Sequence, residues 1–346
     1  MNSLGDEDVF RYWYDPSMHE LGRSVFECLQ TLNGPAHFHI PGVDRSRSRA
    51  MVTLLHGNEP SGLTALLRMI EKQVEPAIDV HCFVVNVQAA IAEPIFFYRT
   101  LPGYRDLNRC FNGPFDDDPG KLAEALLRRL EEIKPEAVID IHNTSGSGPA
   151  FAVATHMDEH HDALASVFTQ RMIVTNLKLG ALMEISDRLC PTITIECGGA
   201  QDEASMLMAE DGLRRYFTLD SVLKPLPADF DLDYFHNPIR LELKDRVNGK
   251  IDFAEDPSEH SAITFFPNVE RFNFATVAPG DPFGWVNGNE AELFSAKDTD
   301  GVERFSEYFH VQNGLFEAKC RLKLFMVTTN PIIAKSDCLF YFVKSD

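Results

Sequence analysis

Between residues 45 and 223 the apolar positions follow two alternating rhythms. Short runs rich in β-branched residues, MVTLLH (51–56), DVHCFVVNV (79–87), AVIDIH (137–142), FAVAT (151–155), MIVT (172–175) and TITIEC (192–197), predict strands. Between them apolar residues recur every three or four positions. Leu63, Leu66, Leu67 and Ile70 after Pro60, the segment KLAEALLRRLEEI (121–133), and the stretches 159–170 and 202–222 predict amphipathic helices. Pro60 fits near a helix start, where its missing N–H costs nothing. Such alternation predicts an α/β domain with a mostly parallel central sheet covered on both faces. Residues 1–50 are expected to add a helix and an edge strand.

The rhythm changes at KPLPADFDLDYF (224–235), a Pro- and Asp-rich stretch that reads as a linker. Beyond it helical spacing fades and β-prone runs follow: IRLELK (239–244), AITFF (262–266), AKCRLKLFMVT (318–328) and CLFYFV (338–343). Turn signals separate them, among them NGK (248–250), PGDPFG (279–284) and NGN (287–289). The expected division is a larger domain over 1–235, with its core at about 45–223, and a small β-rich domain over 236–346.

Composition narrows the partners. The 346 residues carry 32 Lys and Arg against 52 Asp and Glu, a formal net charge of −20. That field opposes nucleic acid and anionic membrane surfaces, and no basic run overrides it. It does not exclude an anionic small molecule held by a few arginines. No apolar run reaches the roughly 18–20 residues of a membrane span, and MNSLGDEDVF is too acidic for a signal peptide. Seven scattered cysteines without a C-x-x-C pair predict reduced thiols in a cytoplasmic protein and argue against a thiolate zinc site.

In an open α/β sheet, ligands gather beyond the carboxyl ends of the strands. Four polar stretches fall at or near such ends: His56-Gly57-Asn58-Glu59, Asp106-Leu107-Asn108-Arg109, Asp140-Ile141-His142-Asn143-Thr144 and Ile195-Glu196-Cys197-Gly198-Gly199. A catalytic zinc ion takes about three His or carboxylate ligands and keeps one position for water. His56 and Glu59, three apart at a strand-to-helix turn, with His142 at another strand end, make such a set. Zinc lowers the pKa of bound water toward ~7 and polarises a carbonyl, but the water still needs a base and the leaving amine a proton. Glu196, at the end of an apolar strand, suits both tasks, and Asp140 could orient a ligand imidazole. Each feature alone is ordinary. With 12 His and 52 acids, chance H-x-x-E pairs are expected, a strand-end His is usually structural, and a lone Glu can cap a helix.

Together, HGNEPSG, DLNRCF, DIHNTSG and IECGG occur in the order and context found in the succinylglutamate desuccinylase/aspartoacylase family, which the chain resembles. The motifs lie between residues 56 and 199. The resemblance implies a zinc-carboxypeptidase-like three-layer domain with a mixed, mostly parallel sheet, followed by a small β-rich C-terminal domain. It implies one zinc ion per chain on His56, Glu59 and His142, with Glu196 as general base and then acid. Arg109, with Asn108, would hold the α-carboxylate of an N-acyl amino acid, a role that suits a planar guanidinium. An arginine upstream of DLNR would polarise the scissile carbonyl; Arg99 is favoured over Arg105. Asn86 fits a substrate-pocket position, and Arg188 could meet a distal carboxylate of the acyl group. A homo-oligomer is compatible with the resemblance.

Two departures stand out. Gly199 takes the place of a common proline. A tyrosine expected over the substrate is absent from QNGLFEAKC, which has Leu315 and Phe316, so that Tyr308 or a different mode of acyl recognition would replace it. Other features read as bland: HMDEHHD (156–162) as a solvated helix start, GNE (288–290) as a turn, and Cys197 as a buried apolar thiol. TSGSG (144–148) lacks the first glycine of a serine-hydrolase elbow. The expected reaction is hydrolysis of an N-acyl amino acid. A carboxypeptidase on the same scaffold and a non-catalytic amino-acid-binding protein are the rival readings.

Overall fold

The structure, a computed structural model, describes residues 9–227, 230–244, 250–288, 293–336 and 338–345. The acidic N-terminus up to residue 8, most of the NGK turn and the end of the GNE stretch lie outside the described residues.

The chain forms two compact units. The first runs through Asn143 and adds Ala150–Val174 and Lys178–Tyr234; the second takes Thr144–Pro149, Thr175–Leu177 and Phe235–Asp346. The elements of the first part of the chain, in order, are β1 (Arg11–Tyr14), α1 (Met18–Leu21), α2 (Val25–Leu32), β2 (Ala36–Ile40), β3 (Asp44–Thr53), α3 (Ser61–Glu71), β4 (Ile78–Val84), α4 (Val87–Ile91), α5 (Asp118–Ile133), β5 (Val138–Thr144), β6 (Phe151–Ala154), α6 (Glu159–Ser166), β7 (Arg171–Val174), β8 (Thr192–Gly199), α7 (Glu203–Thr218) and β9 (Asp233–His236). The nine strands form one sheet in the order β1-β2-β4-β3-β5-β8-β6-β7-β9. The β1/β2, β4/β3, β3/β5 and β6/β7 pairs are parallel, while β2/β4 and β6/β8 are antiparallel. The sheet is therefore mixed and mostly parallel, as expected from the strand–helix alternation.

Alternation along each strand builds the three layers. Met51, Ile139, Ile141, Ile193, Ile195 and Cys197 join one apolar cluster with α2, α3, α6 and α7. Ala50, Val52 and Val138 point the other way, into a second cluster with α5. Helix α3 sits in contact with the sheet because residue 62 is glycine: a Cβ there would stand 2.3 Å from Thr53 Oγ1 and 3.0 Å from Ile141 Cβ.

The N-terminal region departs from expectation. Where one helix and one edge strand were read, it holds two strands and two helices before β3. The RYWY strand lacks clean alternation, and β2 finds its place by antiparallel pairing with the distant β4, which local pattern does not encode. The helix read over 159–170 ends at Ser166.

The second unit is β-rich, with two five-stranded sheets and a phenylalanine-rich core that includes Phe265, Phe283, Phe294, Phe309, Phe316 and Phe340. Phe316 is fully buried there, and the Tyr308 ring packs edge-on against Phe342 at 5.0 Å.

Candidate metal centre

The turn after β3 places the first two residues of interest. Leu54 adopts a φ of 55°, an uncommon left-handed conformation for leucine that swings the chain out of the strand. Gly57 then passes so close to α4 that a Cβ would lie 2.5 Å from the Ala89 carbonyl carbon. This path buries His56 and Glu59 side by side. On β5, Asp140 and His142 share the face of Val138, opposite Ile139 and Ile141; on β8, Glu196 likewise points away from Ile195 and Cys197. Backbone contacts tie Val138 to Pro191 at the start of these two strands, and Asn143 bonds Gly198 at their end. His142 and Glu196 therefore emerge at the same edge of the sheet.

The donor atoms converge. His56 Nδ1 is 2.9 Å from Glu59 Oε1, His142 Nδ1 is 2.7 Å from Glu59 Oε2, and the two Nδ1 atoms are 3.1 Å apart. The ligand atoms of the three buried residues all lie within 4.8 Å of one another. Each imidazole turns its other nitrogen to a carboxylate: His56 Nε2 is 3.0 Å from Asp106 Oδ1, and His142 Nε2 is 2.6 Å from Asp140 Oδ2. With each Nε2 donating its proton to its own carboxylate, the two Nδ1 atoms are the ones left to face a metal ion. Two imidazole nitrogens and a carboxylate gathered at one point fit a divalent cation of zinc's type, which would displace the protons they share.

Electrostatics ties these groups closely together. Burial alone would raise Glu59, but the flanking His56 and His142 hold its carboxyl well below the usual range. Burial would lower His142, yet the charges of Asp140 and Glu59 outweigh it and raise it well above an ordinary histidine. Glu196 is pushed up to about 7, chiefly by burial. His142, Glu59, His56 and Arg99 all act on it electrostatically, which sets it beside the cluster. Its Oε2 and the Oδ1 of Asn58 are buried and accept no hydrogen bond among the described residues.

Arg99 reaches the same cluster, with Nη1 3.3 Å from Glu59 Oε1 and both Nε and Nη2 on Asp106 Oδ2. Arg105 instead forks onto Asp117 at 2.6 Å from each nitrogen, next to the start of α5. Asn108 is buried, its Nδ2 3.5 Å from His142 Nε2 and its Oδ1 accepting from Leu182 N. Arg109 follows it, with Nη1 donating to the Asn108 carbonyl. Asn86 stands between β4 and α4 and its side chain donates to the Leu55 carbonyl at 3.4 Å, close to the His56 turn. Arg188 is not brought to this group. It is exposed and precedes β8 at the end of the strand opposite Glu196.

Asp106 escaped the reading of the sequence, which gave roles only to its neighbours. Its carboxylate joins His56, Arg99 and the backbone N–H of Asn108. The Asp-x-Asn spacing is a signature of such an Asx turn and was the available signal. In the HMDEHHD stretch, Asp158 caps α6 and bonds His161, whose ring also meets Ser186. The stretch does open a helix as read, but His161 is buried rather than solvated.

Residues 47–213 match the family model described as "Succinylglutamate desuccinylase/Aspartoacylase catalytic domain". No curated protein sequence matches the chain. Among solved structures, the succinylglutamate desuccinylase of Chromobacterium violaceum is similar at 16% identity and a TM-score of 0.55, over 88% of this chain and 87% of that one. The ectoine utilization protein EutE (DoeB) of Ruegeria pomeroyi is similar at 15% identity and a TM-score of 0.55, over 90% and 88%. Murine aminoacylase 3 is similar at 17% identity and a TM-score of 0.51, over 86% and 95%. At these identities the structures speak to a shared fold. Among the described residues no helix is long and apolar enough to cross a membrane.

Proposed function

We propose, for a chain that belongs through residues 47–213 to the succinylglutamate desuccinylase/aspartoacylase family, that it hydrolyses the amide bond of an N-acyl amino acid with one zinc ion held by His56, Glu59 and His142. The observation that carries this reading is the inward-facing donor set with a buried carboxylate, Glu196, beside it. Bound there, zinc supplies Lewis acidity to the scissile carbonyl and eases ionisation of water.

The protein's own groups do the rest. Glu196 takes a proton from the attacking water and returns it to the leaving nitrogen, so one carboxyl serves as base and then acid. Burial helps, since a carboxyl pushed up to about 7 can both accept and release a proton near neutrality. Arg99 is held by Asp106 where its charge can stabilise the oxygen of the breaking amide. That contact supports Arg99 over Arg105, which is committed to Asp117. Arg109 and Asn108 bind the α-carboxylate, and Asn86 lines the pocket. Seven free thiols fit a cytoplasmic setting.

The test is free-amine release from N-acetyl, N-succinyl and N-formyl amino acids and from unblocked peptides, for zinc-loaded protein and Glu196→Gln. Turnover of an N-acyl amino acid that falls at least about a thousandfold in the variant, with zinc retained, supports the reading. Turnover of peptides alone transfers the protein to the carboxypeptidases, and unimpaired turnover in the variant removes Glu196 from the mechanism.

A further inference from the structure

Asn143 directly follows a proposed metal ligand, is 4% exposed, and uses every polar atom of its side chain within the first unit. Its Oδ1 accepts from Ser61 N at 3.1 Å. Its Nδ2 donates to Ser61 Oγ at 2.8 Å and to the Gly198 carbonyl at 2.9 Å. Its backbone N–H points to Glu59 Oε2 at 3.3 Å. These partners belong to three separate segments. Ser61 opens α3, two residues after Glu59; Gly198 lies on β8, two residues after Glu196; Asn143 itself continues β5 beyond His142.

We infer that Asn143 is a positioning residue, a brace that fixes the distance between the metal-ligating group and the carboxyl of Glu196. The inference rests on the function proposed above. The side chain touches neither substrate nor reacting atoms in that scheme. It joins the turn that carries Glu59 to the strand that carries Glu196, across the strand that carries His142. A primary amide suits this place because it presents one acceptor and two donors in a plane, matching one N–H, one hydroxyl and one carbonyl. Aspartate would set a second acceptor against the Gly198 carbonyl, and leucine would leave the Ser61 N–H and that carbonyl unpartnered in a buried site. A misplacement on the order of 1 Å between catalytic groups can cost about a hundredfold in rate. Substrate affinity rests on other residues, Arg109 and Asn108.

The decisive comparison is Asn143→Ala, Ser61→Ala and the double variant, each measured for kcat and KM on the best N-acyl amino acid, for Co2+ affinity by competition with a chelator, and for Tm. Asn143→Ala should lower kcat about 30–100-fold with KM within about threefold, and weaken Co2+ binding about tenfold. Ser61→Ala removes one arm of the brace and should give a smaller fall in kcat. Adding it to Asn143→Ala should change little further, because both delete the same connection. A loss of Tm with kcat and Co2+ affinity unchanged would overturn the inference, as would multiplicative effects in the double variant. If Asn143→Ala fails to fold, Ser61→Ala decides, a fall in kcat at constant KM supporting the brace and an unchanged kcat removing it. If the wild type turns over no N-acyl amino acid, the proposed function fails by itself. The Co2+ affinities then judge the brace alone, a tenfold weakening supporting it and no change removing it.

Discussion

Asp106 grips Arg99 through a single carboxylate oxygen, Oδ2, with Nη2 at 3.0 Å and Nε at 3.2 Å. The other oxygen, Oδ1, receives His56 Nε2 at 3.0 Å. One side chain thus orients a proposed ligand and a proposed catalytic cation together. Burial works against its charge, but His56 and Arg99 hold it far below the usual carboxylate range. Asp106→Asn keeps the shape and loses the charge. Zinc affinity should fall about 10–100-fold, and kcat/KM should fall even at saturating zinc because Arg99 is released as well. Chelator competition alongside steady-state kinetics checks both, and unchanged zinc affinity would mean that His56 needs no such partner.

As the proposed base, Glu196 should set the acid limb of the pH profile. The base must be ionised, so activity is lost as pH falls through its pKa. Burial pushes that value up to about 7 in the protein alone, and a bound dication draws it down. The acid limb of kcat/KM should therefore lie at or below about pH 7. Replacement of zinc by another divalent ion should move it. A limb well above pH 7 would assign the essential base to a different group.

The two arginines before DLNR should separate cleanly. Arg105 pairs with Asp117, whose carboxylate also accepts from Gly120 N at the start of α5. Arg105→Lys should leave kcat/KM within about twofold, as expected for a partly exposed ion pair. Arg99→Lys should lower kcat tenfold or more, since an ammonium cannot reproduce a two-nitrogen grip on Asp106. Equal losses in the two variants would reverse the assignment of Arg99.

A pair of histidines on the first unit's sheet makes the fold acid-sensitive. His37 Nε2 lies 2.9 Å from His81 Nδ1, and His37 stacks on Phe83. Burial holds His37 down at about 3 and His81 at about 4. Unfolded histidines titrate near 6.5, so below that pH the unfolded chain binds more protons. Stability is thus complete above about pH 6.5 and declines as pH falls toward 4, on the order of 1 kcal/mol per pH unit for each group. Urea midpoints of metal-free protein between pH 7.5 and 5 should show this decline, with a shallower slope in His37→Gln. Identical slopes would place the acid sensitivity elsewhere.

The grouping of His56, Glu59 and His142 was legible in the sequence because the first two fall in the turn after β3 and the third near the end of β5, two strands marked by their apolar pattern. The sheet's mostly parallel character was legible for the same reason. Contacts made across the fold were not. Asp106 carries no pattern that foretells a grip on His56, fifty positions away, and the Asn143 brace exists only once three segments have met. Arg188 shows the converse case, a residue that the fold does not bring to the cluster. It lies eight residues before Glu196, which looks close along the chain, but the strand between them advances about 3.3 Å per residue and separates them along the sheet. Short strands such as Arg11–Tyr14 were missed because register, rather than local pattern, makes them strands.

His56 and His142 are 86 positions apart in the chain, so their inward-facing nitrogens exist as a pair only in the folded protein. An ion that binds them binds the native state and leaves the unfolded ensemble nearly untouched. At a free concentration a thousand times its dissociation constant, it would add about 4 kcal/mol to the stability of that state. Under the proposed function, metal supply would govern how long the molecule survives as well as whether it works. A cell short of the ion would hold fewer copies, since the empty form opens more often and meets proteases sooner.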